Sequence, residues 1–154
     1  MAALTSDRNT EYSLGDLLAI PVAADAHVYA GSLVAVDAAG YAVPAADTAG
    51  IVLAGVATAE ADNTDGAAGA VSTVVRRRGR YLLDSASALD ASARGARVYV
   101  ADDHSVAVAG DATNDVPAGV IDLVVGAGRA WVSIDAAVLG GREWAATTTT
   151  TAGA

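Results

Sequence analysis

The chain contains no cysteine, no phenylalanine and no lysine, and only one methionine, two tryptophans and three prolines among its 154 residues. Without cysteine there are no disulfides, no thiolate metal sites and no thiol nucleophile. Without lysine, Schiff-base catalysis, lipoyl or biotinyl carriage and the phosphate-binding P-loop are excluded, because each needs a lysine amine. Long apolar runs are missing as well. None approaches the roughly 20 residues that span a bilayer, and the start Met1-Ala-Ala-Leu-Thr-Ser-Asp-Arg8 lacks the apolar stretch of a signal peptide. No membrane partner is expected, and the product is expected to be made in the cytoplasm. Positive charge is scarce: a net charge of -9 and a pI near 4.3 repel nucleic acid, whose affinity rests on cationic contacts to phosphate. Nucleic acid is not an expected partner.

What the chain has is alanine, valine and 16 glycines, with 53% of all residues apolar. Branched side chains suit a pleated surface and glycine suits tight turns, so short strands are expected throughout. Scarce Glu and Gln argue against helix. The core is expected to be thin and built from small side chains. The length fits one domain.

Residues 1–16 are polar, without a period of 2 or 3.6, and read as an extended arm. A single β domain is expected over 17–138 and a low-complexity tail over 139–154, ending in a threonine run. Strands are expected at Leu17–Val22, with Pro21 near an edge or terminus, and at Gly31–Val36 and Tyr41–Pro44, paired as a hairpin about Asp37–Gly40. Others follow at Ile51–Thr58, Val71–Arg77, Tyr81–Leu83, Arg97–Ala101, Val106–Ala109, Pro117–Val125 and Ala130–Ile134. Ser85–Ala93 has some helical character, with Ser85 or Ser87 as the cap. The halves echo each other. Gly31-x-x-Val34-x-Val36 returns as Gly95-x-x-Val98-x-Val100, and Ala49-Gly50-Ile51-Val52 as Ala118-Gly119-Val120-Ile121. An internal repeat, 31–58 and 95–125, would pack two related hairpin units into one small all-β barrel or sandwich.

Arg76, Arg77, Arg78 and Arg80 concentrate the positive charge. On one strand, Arg76, Arg78 and Arg80 would face one side at about 6–7 Å spacing. Such a row docks an acidic neighbour through bidentate carboxylate pairs, or else is a solvated face that opposes edge-to-edge aggregation. In the arm, Leu4, Tyr12 and Leu14, with Arg8 between them, are candidate anchors, since an extended arm can add a strand to a neighbour's sheet. Trp144 is a similar candidate in the tail. His104 beside Asp102 and Asp103 reads as a hairpin turn before it reads as a metal site. Asp62–Gly66 fails as a calcium loop, because placing Gly66 sixth puts Ala61 first and Ser72 twelfth, where carboxylates belong. Gly-x-Ser-x-Gly is absent. No catalytic residue, cofactor or metal is expected.

The order of several segments carries a resemblance: Gly15-Asp-Leu-Leu-Ala-Ile-Pro-Val22, Tyr29 to Pro44, Gly55-Val-Ala, Asp62-Asn63, Arg78-Gly79, Gly95-x-Arg-Val-Tyr-Val100, Asp102-Asp-His-Ser-Val106, Ala118-Gly119-Val120 and the Val-x-Ile after Trp131. Across roughly residues 4–135 the chain resembles the capsid decoration, or cement, proteins of tailed phages, which are encoded beside the major capsid protein. The resemblance implies a β-rich protein on the exterior of the virion. It would stabilise the assembled head by bridging subunits of the major capsid protein, clustered as homodimers or homotrimers at capsid symmetry axes. The arginine run and the threonine tail depart from the family pattern. The alternatives are a head-fibre, tail or host-surface adhesion module, for which the threonine tail would be a linker, and a small β-sheet hydrolase using His104.

Overall fold

The computed structural model describes residues 3–136, so the tail over 139–154 and Trp144 lie outside the described residues. The chain is all-β. Its strands are β1 (Leu17–Pro21), β2 (His27–Val28), β3 (Leu33–Val36), β4 (Ala42–Pro44), β5 (Val52–Ala57), β6 (Ala61–Asp62), β7 (Ser72–Arg76), β8 (Arg78–Ser85), β9 (Arg97–Val100), β10 (Ser105–Val108), β11 (Pro117–Gly126) and β12 (Arg129–Asp135). Each expected strand is present within a few residues, because valine-rich alternation and the glycine turns fix both period and ends. The turn between β3 and β4 closes on Asp37, whose Oδ1 accepts from the N–H groups of Ala39 and Tyr41 at 2.9 Å each. Among the described residues no helix is long and apolar enough to cross a membrane.

The helical reading of Ser85–Ala93 shrinks to one 3-10 turn, Ala91–Ala93, capped by Asp90 rather than by a serine. The two serines are engaged elsewhere. Ser85 Oγ donates to the Ser87 carbonyl (2.8 Å), and Ser87 Oγ donates to Asp111 (2.6 Å) while accepting from Val108 N (3.0 Å). Side-chain bonds of this kind compete with helix.

Ten of the strands form two five-stranded units of the same strand order, with β2 and β6 paired apart from them. The first unit forms a sheet in the order β1-β7-β5-β3-β4, with one parallel bridge, Val22–Ala42, linking its two ends. The second forms a closed barrel in the corresponding order, β8-β12-β11-β9-β10, and its ends meet through the parallel pairs Ser105–Asp84 and Val106–Ser85. Registers correspond residue for residue. In β3/β5 the pairs are Leu33–Val56, Val34–Gly55 and Ala35–Leu53; in β9/β11 they are Arg97–Val120, Val98–Gly119 and Tyr99–Pro117. Gly31 to Gly95 and Gly55 to Gly119 are both steps of 64 residues, and a bulge falls at the equivalent Ala54 and Ala118. The echo of Ala118-Gly119-Val120 is therefore Ala54-Gly55-Val56. The resemblance to Ala49–Val52 is out of register by five residues, an ambiguity that short alanine- and glycine-rich motifs invite.

Two apolar clusters result. Ile20, Val22, Val28, Val34, Ala42, Ala54, Ala57, Ala61 and Val75 fill the first unit. The larger cluster crosses between units: Leu33, Ala35, Ala45, Leu53 and Val56, from the outward face of the first sheet, pack with Leu83, Val98, Val100, Val106, Ile121, Val132 and Ile134 of the barrel. Alternation along β3 does this, sending Val34 to one core and its neighbours to the other. The fully buried side chains are mostly valines, with Leu33 and Ile121 the largest, as the composition requires.

Asp47 pins the units together at the surface. Its carboxylate accepts from the N–H groups of Thr113 (2.6 Å) and Asn114 (2.8 Å), and from Asn114 Nδ2 (3.1 Å). The Thr113 N–H is the main cause holding the Asp47 pKa below its ordinary value, with Asn114 N–H second. A depressed folded pKa contributes stability that is complete above the ordinary carboxylate value of about 3.9. That contribution is lost as pH falls through the folded value. Asp47→Asn is expected to lower the melting temperature near neutral pH, with the difference from the parent shrinking as pH falls through the lowered folded value. Melting profiles of parent and variant that stay parallel from neutral into the acid range would contradict this role.

Candidate protein-docking surface

The candidate residues divide between the arm, the strands β7 and β8, and the undescribed tail. Every residue from 3 to 14 is exposed. Leu4 is 74% exposed, Tyr12 83% and Leu14 73%, values far from those of side chains packed on their own domain. A bend falls at Thr5–Ser6, and no bend or regular structure follows before Asp16. Arg8 lies within this exposed run and lines a hollow made only of arm residues.

The arginines do not form one row. The chain leaves the first sheet at Arg76, the last residue of β7, and enters the barrel at Arg78, the first of β8, so Arg77 is a corner. Its N–H donates to the Asp16 carbonyl (2.8 Å) and its carbonyl accepts from Ala136 N (2.8 Å). Strand alternation therefore relates Arg78 to Arg80 but breaks before Arg76. Each of the three has its own work. Arg78 ties down the arm: Nε meets Asp16 Oδ1 at 2.7 Å and Nη2 donates to the Leu14 carbonyl at 3.3 Å. Arg80 donates from Nε to Asp122 Oδ2 at 2.8 Å and lies over the Trp131 ring, 5.4 Å from its centre. Asp122 also accepts from Ser133 Oγ, and that bond is the main reason its pKa is lowered. Arg76 pairs in register with Leu17 and makes no ion pair among the described residues. Asp16, Leu17, Arg76 and Arg78 line one shallow hollow.

Sequence reasoning thus reached Leu14 and Arg78 separately but missed that they meet, together with Asp16. It also missed the exposed apolar residues Leu17, Leu18 and Val74 beside them. Strand alternation flagged these as ordinary sheet residues, and only the open end of the first sheet leaves them uncovered.

The two histidine sites are surface features. Asp102 Oδ1 accepts from the N–H groups of His104 (2.9 Å) and Ser105 (2.7 Å), which builds the turn read from the sequence. Ligand atoms of Asp102, Asp103 and His104 lie within 4.8 Å of one another. The imidazole sits 3.0 Å from both carboxylates, and the Asp103 hydrogen bond, with the Asp102 charge next, raises its pKa. His27 bonds Glu60 at 2.7 Å and stacks on Tyr29 with ring centres 4.1 Å apart. The arrangement around the arm root is suited to contact: exposed apolar side chains, extended backbone and paired charge at one place. No family model, curated protein or solved structure matches the chain.

Proposed function

We propose that the chain is a capsid decoration protein of a tailed phage, acting by binding alone and transforming no molecule. The observation that carries this reading is the arm, whose residues 3–14 are all exposed and include three large apolar side chains. An extended arm of this kind adds a strand to another protein's sheet, with backbone bonds for affinity and pocketed side chains for specificity. Its root is held by Arg78 and Asp16 on a β scaffold. The resemblance of the ordered segments from Gly15 to the Val-x-Ile after Trp131 to those of decoration proteins supports the choice of partner. On this reading the partner is the major capsid protein at the outer surface of the head, and copies gather as dimers or trimers at symmetry axes. Many weak symmetric contacts then sum through multivalency to resist internal pressure.

Purified protein is expected to co-sediment to saturation with expanded, undecorated heads of the phage that encodes it. Deleting residues 3–14 is expected to weaken that binding while leaving the β fold intact. Failure of the full chain to sediment with the heads would reject the function. Binding to a glycan array in its place would favour the adhesion module.

A further inference from the structure

We propose that the N-terminal arm of one copy docks along the open β1 edge of a second copy, covering Leu17, Leu18 and Val74, so that the protein assembles by exchanging arms. The inference rests on the reading of the arm as a docking segment and gives residues 7–14 to a sister copy, which leaves Leu4, beyond the bend at Thr5–Ser6, as the part of the arm that meets the head.

The edge has unmet pairing. β1 pairs with β7 on one side, from Leu17–Arg76 to Pro21–Ser72, and its other side meets β4 only through the Val22–Ala42 bridge. In the second unit the equivalent position is packed on the core. Its β8/β12 register places Tyr81 opposite Val132 where the first unit places Leu18 opposite Val75. Tyr81 packs against the larger cluster, whereas Leu18 is 41% exposed. Leu17 and Val74, on the opposite face, are exposed too. A free backbone edge carrying apolar residues on both faces is a template for another strand.

The arm matches it in length, pattern and charge. Residues 7–14 run without a bend, and eight extended residues reach about 26 Å, enough for a five-residue strand of about 17 Å. In an extended segment Tyr12 and Leu14 share one face and Glu11 takes the other. That places two apolar side chains over Leu18 and a carboxylate toward Arg76, which makes no ion pair among the described residues. The arm cannot serve its own β1. Asp16 O is bonded by Arg77 N, and Arg78 grips both the Asp16 carboxylate and the Leu14 carbonyl. These bonds hold the root on the β7/β8 side, opposite the open edge, so a second copy supplies the strand.

The native chain has no cysteine, which gives a clean test. Tyr12→Cys and Leu18→Cys chains, mixed and oxidised, are expected to form a disulfide-linked heterodimer that neither variant forms alone. In sedimentation the full chain is expected at no less than twice its 15.1 kDa mass, with deletion of 3–14, and separately Leu18→Asp, returning it to monomer with an unchanged melting temperature. A monomeric full chain, or self-association that survives both changes, would overturn arm exchange. Head binding is scored separately: a monomer that still coats heads sinks this inference alone, and arm-exchanged oligomers that ignore heads sink the decoration function alone.

Discussion

Cutting Leu33 back to alanine is expected to destabilise the entire chain by about 2–5 kcal/mol, the usual cost of emptying a fully buried leucine site. Leu33 has no exposure and is, with Ile121, the largest fully buried side chain among the described residues. It belongs to the first unit by sequence but to the barrel by packing, since it sits in the cluster with Val98, Val100, Ile121 and Val132. The loss must therefore register in the second unit. In a Trp144→Tyr background, fluorescence of Trp131 on β12 reports that unit, and its urea midpoint is expected to fall with an unchanged slope. A Trp131 transition that stays in place while the first unit melts early would show that the two units do not share a core.

The duplicated position gives the sharper version. One repeat on, Leu33 becomes Arg97, which is exposed, and Ile51 and Leu53 of the inter-unit face become Asp115 and Pro117, both exposed. Repeat arrays end in units with a polar outer face, and the second unit carries such a face. Leu33→Arg, which places the second unit's residue in the first, is expected to prevent folding, because the guanidinium would be buried without a partner. The face that is apolar and packed in the first unit is thus polar and exposed in the second.

Strands and turns were legible because they depend on neighbours along the chain: Val34 and Val36 around Gly31, the Asp37–Gly40 turn, Pro21 closing β1. The duplication was legible in β3 and β9 but misaligned in β5 and β11, where only pairing with β3 and β9 fixes which glycine matches which. That the second unit alone closes a barrel was not legible, since closure depends on two parallel pairs, Ser105–Asp84 and Val106–Ser85, between strands with no sequence mark. For the candidate surface, composition located the arm and the arginines. It did not reveal that Arg78 spends its charge on Asp16, or that Arg76 stands across a corner from Arg78, because both facts belong to the junction of two sheets. Buried Asn63 was equally hidden: it looks like loop filler, yet its amide donates to the carbonyls of Ala23 (2.8 Å) and Ala67 (2.9 Å).

Gly119→Ala is expected to cost about 1–3 kcal/mol, and Gly55→Ala clearly more, although both look like mild exchanges in a strand. A Cβ at Gly119 would lie 2.3 Å from the Ser133 carbonyl oxygen and 2.8 Å from Val132 Cγ1. At Gly55 it would lie 2.3 Å from the Arg76 carbonyl oxygen. Arg76 and Ser133 are themselves equivalent, each opposite the residue after the glycine, so both units bring two backbones together at the same place. The preceding residue is the bulge, Ala54 or Ala118, which turns the strand from one neighbour toward the next. Small five-stranded units need that sharp turn, and only a residue without a side chain leaves room for it. Gly55 carries a second demand, φ of +148°, which adds about 1–3 kcal/mol for any residue with a Cβ. Gly126 and Gly128, where nothing lies within 4 Å of the place a Cβ would take, serve as controls and are expected to tolerate alanine within about 0.5 kcal/mol. Urea midpoints of the four variants order the sites. A Gly119→Ala midpoint equal to the controls would mean that the close approach of β11 and β12 is not what shapes the barrel.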